Sequence, residues 1–199
     1  RQALGQISGL NISEVQNKSL SSMSFRGLGD PHETFFIHVL EDGLPIAADP
    51  YGYSANYYSP TVQTLEAVEF FKGGSGLLYG PQPGGALNYR TQNPNFERPV
   101  SVSTQQVLGS YGLWNSINQV NVRIRDNQAV LLQYVRRSSD GFRTSNQDSL
   151  NDAIQFKHSW LLGQTLVTTK VDYNNVESGE AGGLAKNSGA GLKAIDQDW

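Results

Sequence analysis

The chain has 199 residues, 38% of them hydrophobic and 10% aromatic, which suffices for one or two domains with a core. Its net charge of -3, with no run of lysine or arginine, excludes the basic footprint of a nucleic-acid-binding protein. No apolar stretch reaches 18 residues, so a transmembrane helix is excluded, and the absence of cysteine excludes disulfides and thiolate metal sites.

Strand-like segments separated by turn residues dominate the first half of the chain. Phe35–Leu40 is a compact apolar run, and the Asp42-Gly43 pair that follows favours the positive φ angles of a tight hairpin turn. Leu44–Ala47 is therefore predicted to begin the return strand. Six glycines and two prolines between Gly73 and Gly85 exclude long regular structure there. The other predicted elements of this half are a short helix or turn at Val62–Leu65 and strands at Ala67–Phe71 and Ala86–Arg90.

Beyond Pro99 the chain changes to longer runs in which apolar and polar residues alternate, a pattern typical of barrel strands. The predicted strands lie near 100–108, 113–125, 128–138, 151–162 and 165–176. We expect one face to contact lipid through Val120, Val122, Ile124, Phe156 and Trp160. The alternation alone fits a soluble β-sandwich nearly as well.

Enzymatic motifs are incomplete. The stretch from Gly73 to Leu77 lacks the last glycine of a nucleophile elbow, and the same region lacks the Gly-Lys-Ser/Thr of a phosphate-binding loop. His32, His38 and His158 are far apart and have no cysteine or histidine partner at metal-binding spacing. The sequence therefore predicts no enzyme, no metal site and no cofactor.

An ordered set of short motifs carries a resemblance to a known family. The set comprises Arg26-Gly27, Asp42-Gly43-Leu44-Pro45, Glu66, Glu69, Lys72-Gly73, Tyr79-Gly80 and Gly84-Gly85. In this order the motifs resemble the plug domain of TonB-dependent outer-membrane receptors. Pro50–Gly52, Lys72–Gly74 and Tyr79–Gln82 are most similar to the ferric-citrate and siderophore type of receptor, and Gly179–Leu184 adds a fainter match.

The resemblance implies a two-part architecture. Residues 1–96 are expected to form an α+β plug domain with a small mixed sheet, lacking its N-terminal part. Residues 97–199 are expected to form the first antiparallel strands and loops of a 22-stranded transmembrane β-barrel. The chain would then be a fragment, with the signal peptide, the TonB-binding segment and most of the barrel outside it.

The function that the resemblance implies is uptake of a ferric chelate, iron citrate or a siderophore, across the bacterial outer membrane. The proton-motive force would drive it through TonB, so the expected partners are the chelate, TonB and outer-membrane lipid, with no nucleic acid. Two alternatives stay open. One is a receptor for another metal complex or cobalamin, and the other is a soluble β-rich carbohydrate-binding module.

Four charged residues match positions where the family's plug contacts its barrel. Arg26 is expected to pair with barrel glutamates, and Glu66, Glu69 and Lys72 are candidates for further plug–barrel charge contacts. Pairs of this kind, partly buried and partly hydrated, would be breakable. The alternative is that all four are ordinary solvated charges.

Two segments of the plug are expected to face the extracellular side and to meet the substrate. They are a polar loop at Glu14–Ser22 and the tyrosine-rich stretch at 47–60. An anionic ferric chelate requires cationic and hydrogen-bonding groups, because the chelator already occupies the oxygen sites of the metal. The candidate ligand-binding residues are Asn17, Lys18, Tyr51 and Tyr53. The alternative for the tyrosines is that they pack the plug against the barrel.

Overall fold

The computed structural model describes residues 4–15, 20–28, 36–46, 58, 60–80, 82–142 and 146–179. The chain divides into two compact units, an N-terminal unit of residues 1–93 and a C-terminal unit of residues 94–199. In the described ranges both units consist of β-strands, and the only helical segments are the 3₁₀ helices Val62–Thr64 and Gly73–Leu78. None of the described helices has the length and apolar character that a membrane span requires.

The N-terminal unit begins with an antiparallel hairpin. Strand β1, Leu10–Val15, pairs with β2, Leu20–Phe25, and Leu10 lies opposite Phe25. This corrects the prediction of a polar loop over Glu14–Ser22, because both strands extend into that segment. The polar segment forms strands because the backbone of each strand is paired with that of the other, even though its sequence carries little strand signal of its own.

A four-stranded mixed sheet forms the rest of this unit. Its strands are β3 (His38–Glu41), β4 (Leu44–Pro45), β5 (Leu65–Phe71) and β6 (Ala86–Thr91), in the order β4-β3-β6-β5. Strands β3 and β6 are parallel and the other pairs are antiparallel, so the predicted small mixed sheet is confirmed. Strand β3 begins three residues later than the sequence suggested, and β4 ends two residues earlier.

The predicted hairpin turn joins β3 to β4. Asp42 and Gly43 have φ angles of 50° and 82°, and two successive positive φ values define the turn type that matches the twist of a tight hairpin. Aspartate and glycine are the residues that adopt these angles at low cost, so this turn follows directly from the sequence.

The core of the N-terminal unit lies between the hairpin and one face of the mixed sheet. Because side chains alternate along a strand, Val39 of β3 and Leu87 and Tyr89 of β6 point to the same face. Met23 and Phe25 of β2 pack against them, and the rings of Phe25 and Phe70 are 5.1 Å apart. The partly buried side chains that surround this cluster include Ile7, Ile12, Ile46, Leu65, Val68 and Phe70.

The glycine-rich connection between β5 and β6 packs backbone against backbone. A Cβ atom placed on Gly85 would lie 2.2 Å from the carbonyl oxygen of Phe71, and one on Gly84 would lie 2.5 Å from the carbonyl oxygen of Phe36. Gly85 also has a φ angle of 97°, which L-residues rarely adopt. The double glycine is therefore required by close packing as well as by conformation.

The C-terminal unit is a five-stranded antiparallel sheet in which each strand pairs with the next along the chain. The five predicted strands are confirmed, and their ends move by no more than two residues. The strands are β7 (Val100–Leu108), β8 (Trp114–Arg125), β9 (Gln128–Ser139), β10 (Ser149–Leu162) and β11 (Thr165–Ser178). Two-residue turns join β8 to β9 and β10 to β11, whereas longer connections join the strands at the opposite end of the sheet.

Candidate functional site

The two faces of the five-stranded sheet differ in chemistry. On one face, Val120, Phe156 and Trp160 are between 36% and 38% exposed and Ile124 is 54% exposed. Val122 lies on the same face and is partly buried. All five residues predicted to contact lipid therefore lie on the accessible apolar face of the sheet rather than in a closed core.

The opposite face is mostly polar and is buried along its three central strands, where Ala129, Leu131 and Val135 also lie on it. Asn121, Gln133, Gln155, Lys157 and Ser159 are each between 2% and 6% exposed. The side-chain oxygens of Asn115, Asn151, Gln155 and Asn174 have no hydrogen-bond partner within the described part of the chain. Buried polar groups almost always have partners in native proteins, so this face requires water or another polar surface beside it.

The acidic residues of β5 are held within the mixed sheet by a single arginine on β6. Arg90 contacts Glu69 at 3.1 Å and Glu66 at 3.4 Å, and these side chains are roughly half exposed. The amide of Asn88 donates to Glu69 Oε2 at 2.9 Å and accepts from the backbone N–H of Gly43 at 2.9 Å. The sequence analysis missed Arg90, because its contacts with Glu66 and Glu69 form only when β6 lies beside β5 in the sheet.

Arg26 and Lys72 come together at one open cavity of about 300 Å³. The backbone N–H of Arg26 donates to Gly9 O at 2.8 Å, and the guanidinium carbon lies 5.1 Å from the centre of the Phe25 ring. Among the described residues, neither Arg26 nor Lys72 forms an ion pair. The complete lining is Phe25, Arg26, Leu28, Lys72, Gly73 and Pro83. The structure thus presents two cations together on the surface of the N-terminal unit.

The Asp42-Gly43 turn is tied to the end of β6. Asp42 accepts hydrogen bonds from the backbone N–H and the hydroxyl of Thr91, at 2.8 Å and 2.5 Å, and donates its own N–H to Tyr89 O at 2.9 Å. Thr91 is fully buried. The hydroxyl of Tyr58 donates to the neighbouring Glu41 at 2.8 Å. These contacts join the turn motif to the centre of the sheet, which sequence reasoning did not anticipate.

Asn17, Lys18, Tyr51 and Tyr53, the candidate ligand-binding residues, lie outside the described residues, so their role stays a prediction. The same is true of the Pro50–Gly52 motif and most of the Gly179–Leu184 motif. Within the described ranges, no group of three or more histidine, aspartate, glutamate or cysteine residues could hold a metal ion.

The pKa of His38 is displaced from its ordinary value. Its Nε2 atom is buried and has no hydrogen-bond partner in the described part of the chain. Burial withdraws water from the imidazolium form, so desolvation lowers the pKa of His38 below its usual 6.5. The side chain packs close to Gly80, where an added Cβ would lie 3.6 Å from the imidazole.

Comparison with known proteins identifies the N-terminal unit and the fold. Residues 1–87 match the TonB-dependent Receptor Plug Domain family. The unliganded ferric citrate transporter FecA is 22% identical, with a TM-score of 0.75 over 94% of this chain and 30% of that one. The copper transporter OprC is 16% identical, with a TM-score of 0.73 over 90% of this chain and 28% of that one.

The ferric yersiniabactin uptake receptor FyuA from Yersinia pestis is also similar, with 20% identity and a TM-score of 0.68 over 86% of this chain and 28% of that one. The chain thus spans about 30% of the length of these proteins. Similarity at this level of identity concerns the fold, which comprises a plug with a mixed sheet followed by antiparallel strands. The resemblance to TonB-dependent receptors is therefore confirmed, with residues 1–87 matching the model of that family's plug domain.

Proposed function

We propose that this chain is part of an outer-membrane transporter that takes up a ferric chelate, iron citrate or a siderophore, with energy delivered by TonB. The observation that carries the proposal is the order of the two units. The plug-domain match is followed directly by an antiparallel sheet. The similarity to the ferric citrate transporter covers 94% of the chain and therefore includes both units in this order. The proton-motive force, transmitted by TonB, rearranges the plug, and the chain itself hydrolyses no nucleotide.

The chemistry of the five-stranded sheet supports a place in a membrane barrel. Its apolar face carries accessible residues such as Ile124, Phe156 and Trp160, whereas its other face carries buried amides and Lys157. Transmembrane barrel strands have this alternation, with apolar side chains toward lipid and polar ones toward the interior. A β-sandwich would instead bury the apolar face against a second sheet.

The cavity at Arg26 and Lys72 suggests how the plug is held and released. On this proposal, carboxylates of the barrel wall occupy the cavity and pair with both cations. The exposed sides of Glu66 and Glu69 are candidates for the same interface, although Arg90 already binds both. Ion pairs in a hydrated interface contribute little each, so mechanical pulling breaks them one at a time without unfolding the barrel.

Arg26→Ala in the full-length receptor tests this role. Removing one partner of a partly buried pair leaves a carboxylate without its cation, at a cost of about 1–3 kcal/mol. The force or denaturant concentration that releases the plug is expected to fall. Arg98→Ala is the matched control, because Arg98 is exposed and lies in the other unit. Equal release in the Arg26 variant and the parent would mean that Arg26 is a solvated charge.

Substrate contacts are assigned to Asn17, Lys18, Tyr51 and Tyr53. Lysine and amide groups donate to the oxygens of an anionic chelate, and tyrosine rings cover its apolar parts. Each contact is secondary, because a hydrogen bond to a charged group contributes about 1.5–3 kcal/mol. Lys18→Gln is therefore expected to weaken binding of a ferric chelate without abolishing it.

Titration of the purified full-length receptor tests the substrate directly. The ligands are ferric citrate, a ferric hydroxamate, a ferric catecholate, a copper salt and cobalamin, with iron-free citrate as the control. Copper is included because the fold is also similar to that of the copper transporter OprC. Binding of ferric citrate or another ferric chelate supports the proposal. Binding of copper or cobalamin alone would overturn the ferric substrate while leaving a TonB-dependent transporter.

A further inference from the structure

The accessible face of the five-stranded sheet changes along the strands from apolar to polar side chains. The strand register aligns side chains of this face in rows that cross all five strands. One row, named here the apolar row, consists of Val102, Val120, Leu132, Phe156 and Val171. Four residues further along each strand, on the same face, lies the polar row of Gln106, Ser116, Arg136, Asp152 and Asn175. Every member of the first row is apolar, and every member of the second is polar.

Two pairs of residues in the polar row are in contact across neighbouring strands. Gln106 Nε2 donates to Ser116 Oγ at 2.8 Å, and Arg136 contacts Asp152 at 3.4 Å. Two aromatic residues flank the row with their polar atoms turned toward it. The hydroxyl of Tyr134 donates to Asp152 at 2.8 Å, and the indole N–H of Trp114 donates to Gln106 at 3.0 Å. Four of the five residues of the polar row are thus tied to a neighbouring strand or to a flanking aromatic residue.

Strand length shows that part of the sheet must extend beyond a membrane. On this face of β10, the residues from Ile154 to Leu162 are apolar except for His158, and they cover eight residue steps, or about 26 Å along the strand and about 20 Å along the membrane normal after a tilt near 40°. This is slightly shorter than the apolar band of about 25 Å found on membrane barrels. The 14 residues of β10 are longer than the 9–11 residues or so that a span requires.

The direction of the extension follows from the two ends of the sheet. At the end with two-residue turns, this face carries exposed apolar side chains such as Trp160, Leu162 and Val167, together with the polar residues Gln128, His158, Thr165 and Thr169. At the end with longer connections it carries the Arg136–Asp152 pair. A charged side chain on the lipid face is strongly unfavourable at the middle of the bilayer and nearly neutral at the interface, so the pair belongs outside the hydrocarbon.

We infer that the boundary between acyl chains and headgroups crosses the sheet between the apolar row and the polar row, and that the polar row contacts the lipid headgroup layer. The inference rests on the proposed membrane function, and it identifies lipid headgroups as the partner of the polar row. Tyr134 and Trp114 suit this position, because aromatic side chains with a polar tip collect at membrane interfaces. The strands beyond the polar row then carry the longer connections away from the membrane.

Two single-cysteine variants of the full-length receptor test the inference. Val171→Cys and Asn175→Cys place a fluorescent label on the same strand and face, one in each row. The labelled receptors are reconstituted in phosphatidylcholine vesicles that carry a nitroxide quencher either on the headgroup or deep in the acyl chain. The label at 171 is expected to lose more emission to the acyl-chain quencher, and the label at 175 more to the headgroup quencher. Asn174→Cys, on the polar face, is expected to be protected from both.

The outcomes separate the inference from the proposed function. The same quencher preference at both positions would overturn the inferred boundary and leave the membrane barrel intact. No quenching of either label by either lipid would overturn the membrane proposal as well. The pair Val102→Cys and Gln106→Cys on β7 repeats the measurement at the far edge of the sheet, so a single variant that fails to fold does not decide the result.

Discussion

Asp42→Ala is the most informative change in the plug, because Asp42 serves the turn in two ways. Its backbone adopts a φ angle of 50°, which aspartate tolerates better than alanine. Its carboxylate accepts both the backbone N–H and the hydroxyl of the fully buried Thr91. The substitution removes the acceptor and strains the turn at the same time.

The cost follows from these two terms. Alanine in the left-handed conformation costs about 1–2 kcal/mol, and depriving a buried donor of its acceptor costs about 1–3 kcal/mol. The sum is roughly 2–5 kcal/mol, which corresponds to a roughly 30- to 4,000-fold larger opening constant for β6. Asp42→Asn retains a side-chain carbonyl and a residue that tolerates the turn, so its expected cost is at most about 1–2 kcal/mol.

Hydrogen exchange of the full-length receptor measures the effect at the correct place. Peptides that cover residues 86–92 report the opening of β6, and peptides from β9 report a region that the change does not touch. The alanine variant is expected to exchange faster than the asparagine variant over β6 alone. Equal exchange in the two variants would show that the Asp42–Thr91 contact does not hold the turn on the sheet.

Three further changes test the fold around this turn. Gly85→Ala brings a Cβ against the carbonyl oxygen of Phe71, so the plug is expected to lose roughly 2–5 kcal/mol from overpacking and backbone strain, measured by denaturant unfolding. Phe25→Ala removes a buried ring from the core and is expected to cost about 3–5 kcal/mol in the same assay. For His38, whose folded-state pKa is lowered, the stability of the plug is expected to be complete above pH 6.5 and to decline as the pH falls below 6.5, because the unfolded chain then binds more protons. His38→Gln is expected to reduce that decline.

Matched controls separate the causes of these effects. Gly73 has a φ angle of 58° but an added Cβ would meet nothing within 4 Å, so Gly73→Ala reports backbone strain without overpacking. An equal loss in the two glycine variants would contradict the role given to close packing at Gly85. For the pH dependence, His158→Gln changes a histidine outside the plug. If the loss of stability at low pH persists in His38→Gln but disappears in His158→Gln, the assignment of this pH dependence to His38 is wrong.

The C-terminal sheet and the hairpin turn could be predicted from sequence, because their signals are local. Alternation over nine or more residues predicted each of the five strands between residues 100 and 178, and the Asp42-Gly43 pair predicted the hairpin turn. The β1–β2 hairpin was missed because residues such as Glu14 and Ser22 read as a loop when their partner strand is unknown. Hydrogen bonds between strands stabilise a polar segment that has little strand signal of its own.

The contacts of the candidate site could not be predicted, because they depend on strand order. Arg90 meets Glu66 and Glu69 only when β6 lies beside β5, and Thr91 meets Asp42 only when β6 also pairs in parallel with β3. Sequence spacing carries no trace of a parallel pairing between strands 45 or more residues apart. The family motifs marked these positions as important without indicating their partners.

The most direct test of TonB-dependent transport is an uptake assay with radiolabelled ferric citrate. The cells lack other iron receptors and express the full-length receptor. The same cells are measured without TonB, and again with a protonophore that dissipates the proton-motive force. We expect accumulation of iron in the complete system and its loss in both deficient ones. Accumulation that persists without TonB, or no accumulation with ferric citrate or any siderophore, would contradict transport of a ferric chelate driven by TonB.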